Sequence, residues 1–262
     1  MDYLTAFPRP QRRTTLCDAA LVPERSGADE FRPISQVNFQ NFLLVAPILL
    51  FSMVAHEYAH GYAAKRQGDD TADRLGRLTW NPIVHIDLFM TILLPLMTWF
   101  GGGFIFGGAK PVPVDPSKYR DLRRGDIIVS LAGVASNMVL AVLLTAIIVP
   151  LGLLGRAVPV LQESCAILQQ TFILGVFFNL LLALFNLIPI PPLDGSHVLK
   201  YLLPPSWAIR YQQIGRYGLL IFIVLLTFGR PVLLAWLQPV YAMARFAQQL
   251  VFPYIIPSQL LS

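Results

Sequence analysis

The chain has 262 residues, of which 55% are hydrophobic and only 13% charged, and its mean hydropathy is +0.58. That balance excludes an ordinary soluble domain and describes an all-α polytopic membrane protein in a lipid bilayer. The formal net charge of +5 comes without a basic stripe interleaved with aromatics, so no nucleic acid is expected as a partner and the charge is assigned to loops between apolar runs.

Residues 1–37 are polar, mixed in charge and punctuated by Pro8, Pro10, Pro23 and Pro33, and they read as a flexible tail. No apolar stretch follows Arg12-Arg13 at signal-peptide distance. The first expected span covers about 41–65 and ends in Lys65 and Arg66, which can snorkel to the interface. Gly76 to Pro82 alternates weakly and is expected to form a short strand or hairpin at the membrane surface. The apolar run 86–106 contains Pro95 and Gly101-Gly102-Gly103 and makes a poor continuous helix. Residues 109–116, with three prolines, must be extended. Clear spans follow at about 127–154, carrying Gly133, Ser136 and Asn137, and at 166–188, carrying Asn179 and Asn186. The second of these stops at Pro189-Ile190-Pro191-Pro192. A last region, 217–252, is interrupted at Gly229-Arg230-Pro231. In all, five to six membrane segments are expected, with short β-hairpin or extended elements near the site. The organisation is a tail (1–37), a core (38–203) and C-terminal membrane segments (204–262). Cys17 and Cys165 have neither metal-ligand nor redox spacing.

Chemistry concentrates at His56-Glu57-Tyr58-Ala59-His60, near the end of the first span. On a helix, residues four apart share a face, so both imidazoles can reach one metal while Glu57 flanks an open position. A helix-packing His pair with a snorkelling Glu is the alternative, and it leaves a carboxylate buried without a partner. A catalytic zinc normally takes three protein ligands. The candidates for the third are His85, Asp87, Asp126, Asp194 and His197; Asp194 is the strongest, at a Pro-rich break with Gly195 behind it, although Asp there can equally cap the following helix. If Asp194 is the ligand, it must emerge on the side of the box, which requires that 86–106 dip into the membrane and return. The box side then carries most of the Lys and Arg, which places the site toward the cytoplasm.

The box, the segment Gly76 to Asp87, Ala109 to Val114, Ala132-Gly133 with Ser136-Asn137, and Asn186 to Gly195 together resemble the site-2 protease family of intramembrane zinc metalloproteases, in its compact branch without PDZ or CBS domains. The resemblance covers about residues 41–203. It implies one catalytic Zn2+ held by His56, His60 and Asp194, with Glu57 as general base. It also implies a bacterial-type inner membrane and a substrate that is a membrane protein with a transmembrane segment; no regulatory partner is identifiable. Asn137 would hold substrate or support the transition state, or else bond between helices. Asn186 would bond substrate or brace the broken helix, and His85 belongs to the motif without a defined role. The extended stretches could offer a strand edge to an unwound substrate. A metal-binding scaffold or pseudoprotease, or a metal transporter, could use the same ligands. A transporter would spread its ionisable groups through several spans and would not need Glu57.

Overall fold

The structure is a computed structural model that describes residues 39–102 and 107–257. The expected tail, 1–37, lies outside the described residues. Within the described part the chain is helical, in the order α1 Phe39–Gln67, α2 Thr71–Arg74, α3 Leu94–Gly102, α4 Leu122–Ala157, α5 Gln162–Asn186, α6 Gly195–Lys200, α7 Pro205–Ile214, α8 Gly218–Thr227 and α9 Arg230–Val251. Among the described residues, two helical stretches, Leu122–Ala157 and Pro159–Asn186, are long and apolar enough to cross a membrane.

Cross-helix hydrogen bonds give the direction of each helix. His56 on α1 meets Asn137 on α4, while His60 meets Val129, so α1 and α4 are antiparallel. Asn137 meets Asn179 on α5, and Gln169 meets Ile148, so α4 and α5 are antiparallel as well. α1 and α5 therefore point the same way and end on one side. α9 runs back along α5, with Trp236 Nε1 donating to Leu184 O and the Tyr241 ring against Phe177. Beyond α9, the buried Gln169 side chain holds the Tyr254 carbonyl and the Ile256 N–H. α4 begins where the Asp121 carboxylate accepts from Arg124 N (2.8 Å), a side-chain cap. α5 stops at Asn186, ahead of the prolines that forbid its continuation.

The connection from α1 to α4 starts and finishes at neighbouring points, because Arg120 N donates to Gln67 O (2.9 Å). Between them Asp87 caps a π-helical turn, Leu88–Leu93, which leads into α3. The chain then returns, with Gly108 N bonded to Met90 O and Thr91 Oγ1 to Gly108 O.

The expected hairpin is not found: no strand occurs among the described residues. Gly76 sits at φ +64°, and Gly76 to Asn81 forms turns and bends. Across from it, Pro111 and Pro113 have no N–H to offer a ladder. The N–H between them, Val112 N, is taken by a carboxylate oxygen of Glu57, and the carbonyls of Lys110 and Pro111 accept from Arg77. These side-chain bonds replace the ladder and leave this stretch no free edge at Val112.

Asp69 staples the loop to the end of α1. It is fully buried, accepts from Thr71 N (3.0 Å), Thr71 Oγ1 and Asp115 N (2.6 Å), and lies 3.7 Å from Lys118 Nζ. Burial pushes its carboxyl up, but the bonds from Asp115 and Thr71 and the Lys118 charge outweigh this and hold it below the usual carboxylate range. Asp69→Ala is expected to cost roughly 1–3 kcal/mol, measured by denaturant or thermal unfolding in detergent, because it strands buried N–H groups. The depressed group contributes fully above its unfolded pKa of 3.8 and loses that contribution as pH falls through the lower folded value. The gap between wild type and variant should therefore close in acid.

Candidate metal centre

His56 and His60 project from one face of α1 toward α4, as their spacing requires. Asp194 reaches the same point from the turn after α5. The three ligating atoms form a triangle: His56 Nε2 to His60 Nε2 is 3.0 Å, His56 Nε2 to Asp194 Oδ2 is 3.3 Å, and His60 Nε2 to Asp194 Oδ2 is 3.4 Å. Ligands at ordinary Zn–N and Zn–O lengths on a tetrahedron are separated by about 3.3 Å. Among the described residues, these three are the group of His, Cys, Asp and Glu side chains that can hold a metal ion.

The hydrogen bonds behind the two rings suit a cation at the centre of the triangle. His60 Nδ1 lies 2.7 Å from the Val129 carbonyl, which can only accept, so Nδ1 carries a proton and, in the neutral ring, Nε2 presents a lone pair. His56 is fixed by a longer relay. Asn179 Nδ2 donates to Gly175 O and to Ser52 Oγ, both at 2.9 Å, which leaves Asn179 Oδ1 to accept from Asn137 Nδ2 (2.9 Å). Asn137 Oδ1 then accepts from His56 Nδ1 at 2.5 Å. The neutral His56 ring therefore also turns a lone pair on Nε2 to the centre. With both rings neutral, two lone pairs and the buried Asp194 Oδ2, which has no hydrogen-bond partner, face one point, an arrangement that a cation would stabilise. Gly133 of α4 closes the floor: a Cβ there would lie 2.5 Å from His60 Nε2 and 2.6 Å from His56 Nε2, in the space an ion needs.

Asp194 occupies the N-cap position of α6 but makes no side-chain cap bond, so its carboxylate is directed to the histidines instead. α6 is held by other groups. Asp126 of α4, 3% exposed, pairs with His197 Nδ1 (3.0 Å) and Lys200 Nζ, and Arg123 donates to the Tyr201 carbonyl. Burial and the Asp126 charge push the Tyr201 phenol up to about 12, so it stays protonated. Asp126 and His197, both candidate ligands by sequence, thus pair with each other. Asp87 caps the π turn. His85 is fully buried in the loop, with Nε2 at 2.9 Å from Thr79 O and its own carbonyl accepting from Lys110 N. It is not joined to the triangle.

Glu57 lies one residue along from His56, and its Oε2 accepts from Val112 N at 2.7 Å. Gly61 permits that approach, since a Cβ there would come within 2.9 Å of Val112 Cγ1. Asn137 is fully buried, with its amide engaged by His56, Asn179 and the Ser52 carbonyl. Asn186 Nδ2 bonds back to Leu182 O (3.0 Å) within its own helix. Ser52 and Asn179 are parts of the site that sequence reasoning left without a role. Their signal was polarity inside apolar runs at a depth matching the box.

A metal held by two histidines of an H-E-x-x-H helix and one aspartate, with a glutamate beside it, defines a zinc-dependent hydrolase site. The model of Peptidase family M50 matches residues 44–163 and 152–228. The Bacillus subtilis protein named "Putative zinc metalloprotease YwhC" is 39% identical over 184 residues, 70% of this chain and 79% of the relative. Mycolicibacterium smegmatis "Putative zinc metalloprotease Rip2" is 33% identical over 209 residues, 80% of this chain and 74% of the relative. The Mycobacterium tuberculosis H37Rv protein of the same name is 31% identical over 196 residues, 74% and 70% of the two chains. No solved structure matches the chain. The chain belongs to Peptidase family M50, the site-2 protease family, and is an intramembrane zinc metalloprotease.

Proposed function

We propose that the protein cuts peptide bonds in or near the transmembrane segment of a membrane-protein substrate, at a site facing the cytoplasm of a bacterial-type cell. In this reading His56, His60 and Asp194 hold one zinc and Glu57 is the general base. The observation that carries the ligand set is the convergence of two imidazole Nε2 atoms and a carboxylate oxygen within 3.0–3.4 Å of one another. When bound, the ion supplies the Lewis acidity that makes water nucleophilic near neutral pH.

The side chains divide the remaining work. Glu57, steadied by Val112 N–H, takes the proton of the attacking water and returns it to the departing amine. Asn137 acts on His56 and not on substrate, because its carbonyl oxygen fixes which imidazole nitrogen bears the proton. Asn186 braces the end of α5.

The topology has matching support. α1 has 29 residues, about 43 Å at the helical rise, enough to cross a hydrocarbon core of about 30 Å. Because α1 and α5 run parallel, the box and Asp194 reach one side without the run 86–106 crossing. The Arg120–Gln67 and Gly108–Met90 bonds suit a segment that enters and returns. The excess of Lys and Arg on that side favours the cytoplasm.

The test is cleavage of a panel of single-span substrates in proteoliposomes, with the new termini mapped. Chelation is expected to stop cleavage and one equivalent of zinc to restore it, with cuts clustered toward the box side of the span. Cleavage that survives complete zinc removal would overturn the reading. A second expectation concerns the relay: Asn137→Leu should weaken zinc binding by about 10–100-fold in chelator competition, the range for groups that orient a ligand.

A further inference from the structure

A second site lies at the end of α1, outside the metal centre. A cavity of about 730 Å³ is lined by Tyr58, Tyr62, Lys65, Arg66, Asp73, Leu78 and Arg120. That volume lies within the range of small-molecule and headgroup pockets. None of the metal ligands, and not Glu57, lines it.

Two features of its walls point to an anionic ligand. The first is an unbalanced charge. Around the cavity the cations are mostly paired: Lys65 with Asp73 at 2.7 Å, Arg74 with Asp70 at 2.6 Å, Lys118 with Asp69 and Asp115. Arg66 and Arg120, which line it, have no carboxylate partner among the described residues. Asp73 is the one acid in the lining and is already used by Lys65, so two positive charges remain in excess. The second feature is an ordered aromatic wall. Tyr58 stacks on Trp80 with ring centres 4.5 Å apart, and Tyr58 and Tyr62 lie nearly parallel at 6.2 Å.

Arg66 and the two tyrosines sit on the last turns of an apolar helix. That is the level at which Tyr and basic residues meet headgroups, and basic pockets there take acidic lipid headgroups. We infer that this cavity binds the phosphodiester headgroup of an anionic phospholipid, with Arg66 and Arg120 on the phosphate and Tyr58 and Tyr62 against the glycerol and upper chain.

The experiment uses the full chain, delipidated in neutral detergent, and measures lipid retention by native mass spectrometry together with Tm. Wild type is expected to retain phosphatidylglycerol in preference to phosphatidylcholine and to gain Tm with the former alone. The Arg66→Gln/Arg120→Gln double variant should bind phosphatidylglycerol about 30-fold more weakly, the effect of removing two interfacial cations. Its Tm in phosphatidylcholine and its zinc content should match wild type, and Arg120→Glu alone should reproduce most of the loss. Arg74→Gln, which removes a nearby cation already paired outside the cavity, should behave as wild type. The inference is overturned if wild type shows no preference, if the double variant keeps it, or if Arg74→Gln loses as much, which would mean a diffuse surface potential. It is also overturned if millimolar inorganic phosphate or glycerol phosphate displaces the lipid and raises Tm equally, since the ligand is then a soluble anion. None of these readouts depends on proteolysis.

Discussion

Purified Glu57→Gln is expected to bind one zinc per chain and to cleave a single-span substrate about 10²–10⁴-fold more slowly than wild type. The substitution keeps the shape of the side chain and an oxygen for Val112 N–H, which in the parent lies 2.7 Å from Oε2. What it removes is basicity, because a carboxamide cannot take a proton from water at neutral pH. Zinc is unaffected, since the ligand triangle contains no atom of residue 57. Single-turnover cleavage beside metal analysis separates the two quantities. A variant that cut at near wild-type rate would move the base elsewhere, and one that lost its zinc would make Glu57 a ligand.

Asp194→Ala is expected to lose both zinc and cleavage. It takes away one of three donors and leaves two imidazole nitrogens 3.0 Å apart, a pair too open to hold the ion against a chelator. The protein around the gap should stay folded. Asp194 makes no cap bond to α6, and α6 keeps its anchors to α4 through Asp126 with His197 and Lys200. Unchanged helicity with zinc content near zero after dialysis is therefore the expected signature. One zinc per chain in this variant would remove Asp194 from the ligand set.

The meeting of His56, His60 and Asp194 was legible because its determinants are largely local. The i, i+4 spacing of His56 and His60 and the proline stop before Asp194 are read directly from the chain, whereas the side on which Asp194 emerges is inferred by taking Asp194 as the ligand and letting 86–106 dip and return. The hairpin was misread for a reason equally local: alternation near Gly76 suggests a ladder, but its partner stretch contains Pro111 and Pro113, and the N–H between them goes to Glu57. The relay from Ser52 through Asn179 and Asn137 to His56 was illegible because it joins α1, α4 and α5. No spacing within one segment encodes a meeting at one level across three. The same holds for Asp126 and His197, which qualify as ligands by type and fail because they find each other.

That relay makes the metal centre a gauge of helix alignment. Its bonds of 2.5–2.9 Å tolerate shifts of a few tenths of an ångström, whereas sliding one helix by a single residue moves it about 1.5 Å. A bilayer that is too thin or too thick presses the helices to tilt and slip past one another. Such slippage would free the His56 ring to carry its proton on the wrong nitrogen while every helix stayed intact, so mismatched membrane thickness would silence the enzyme long before it unfolded it.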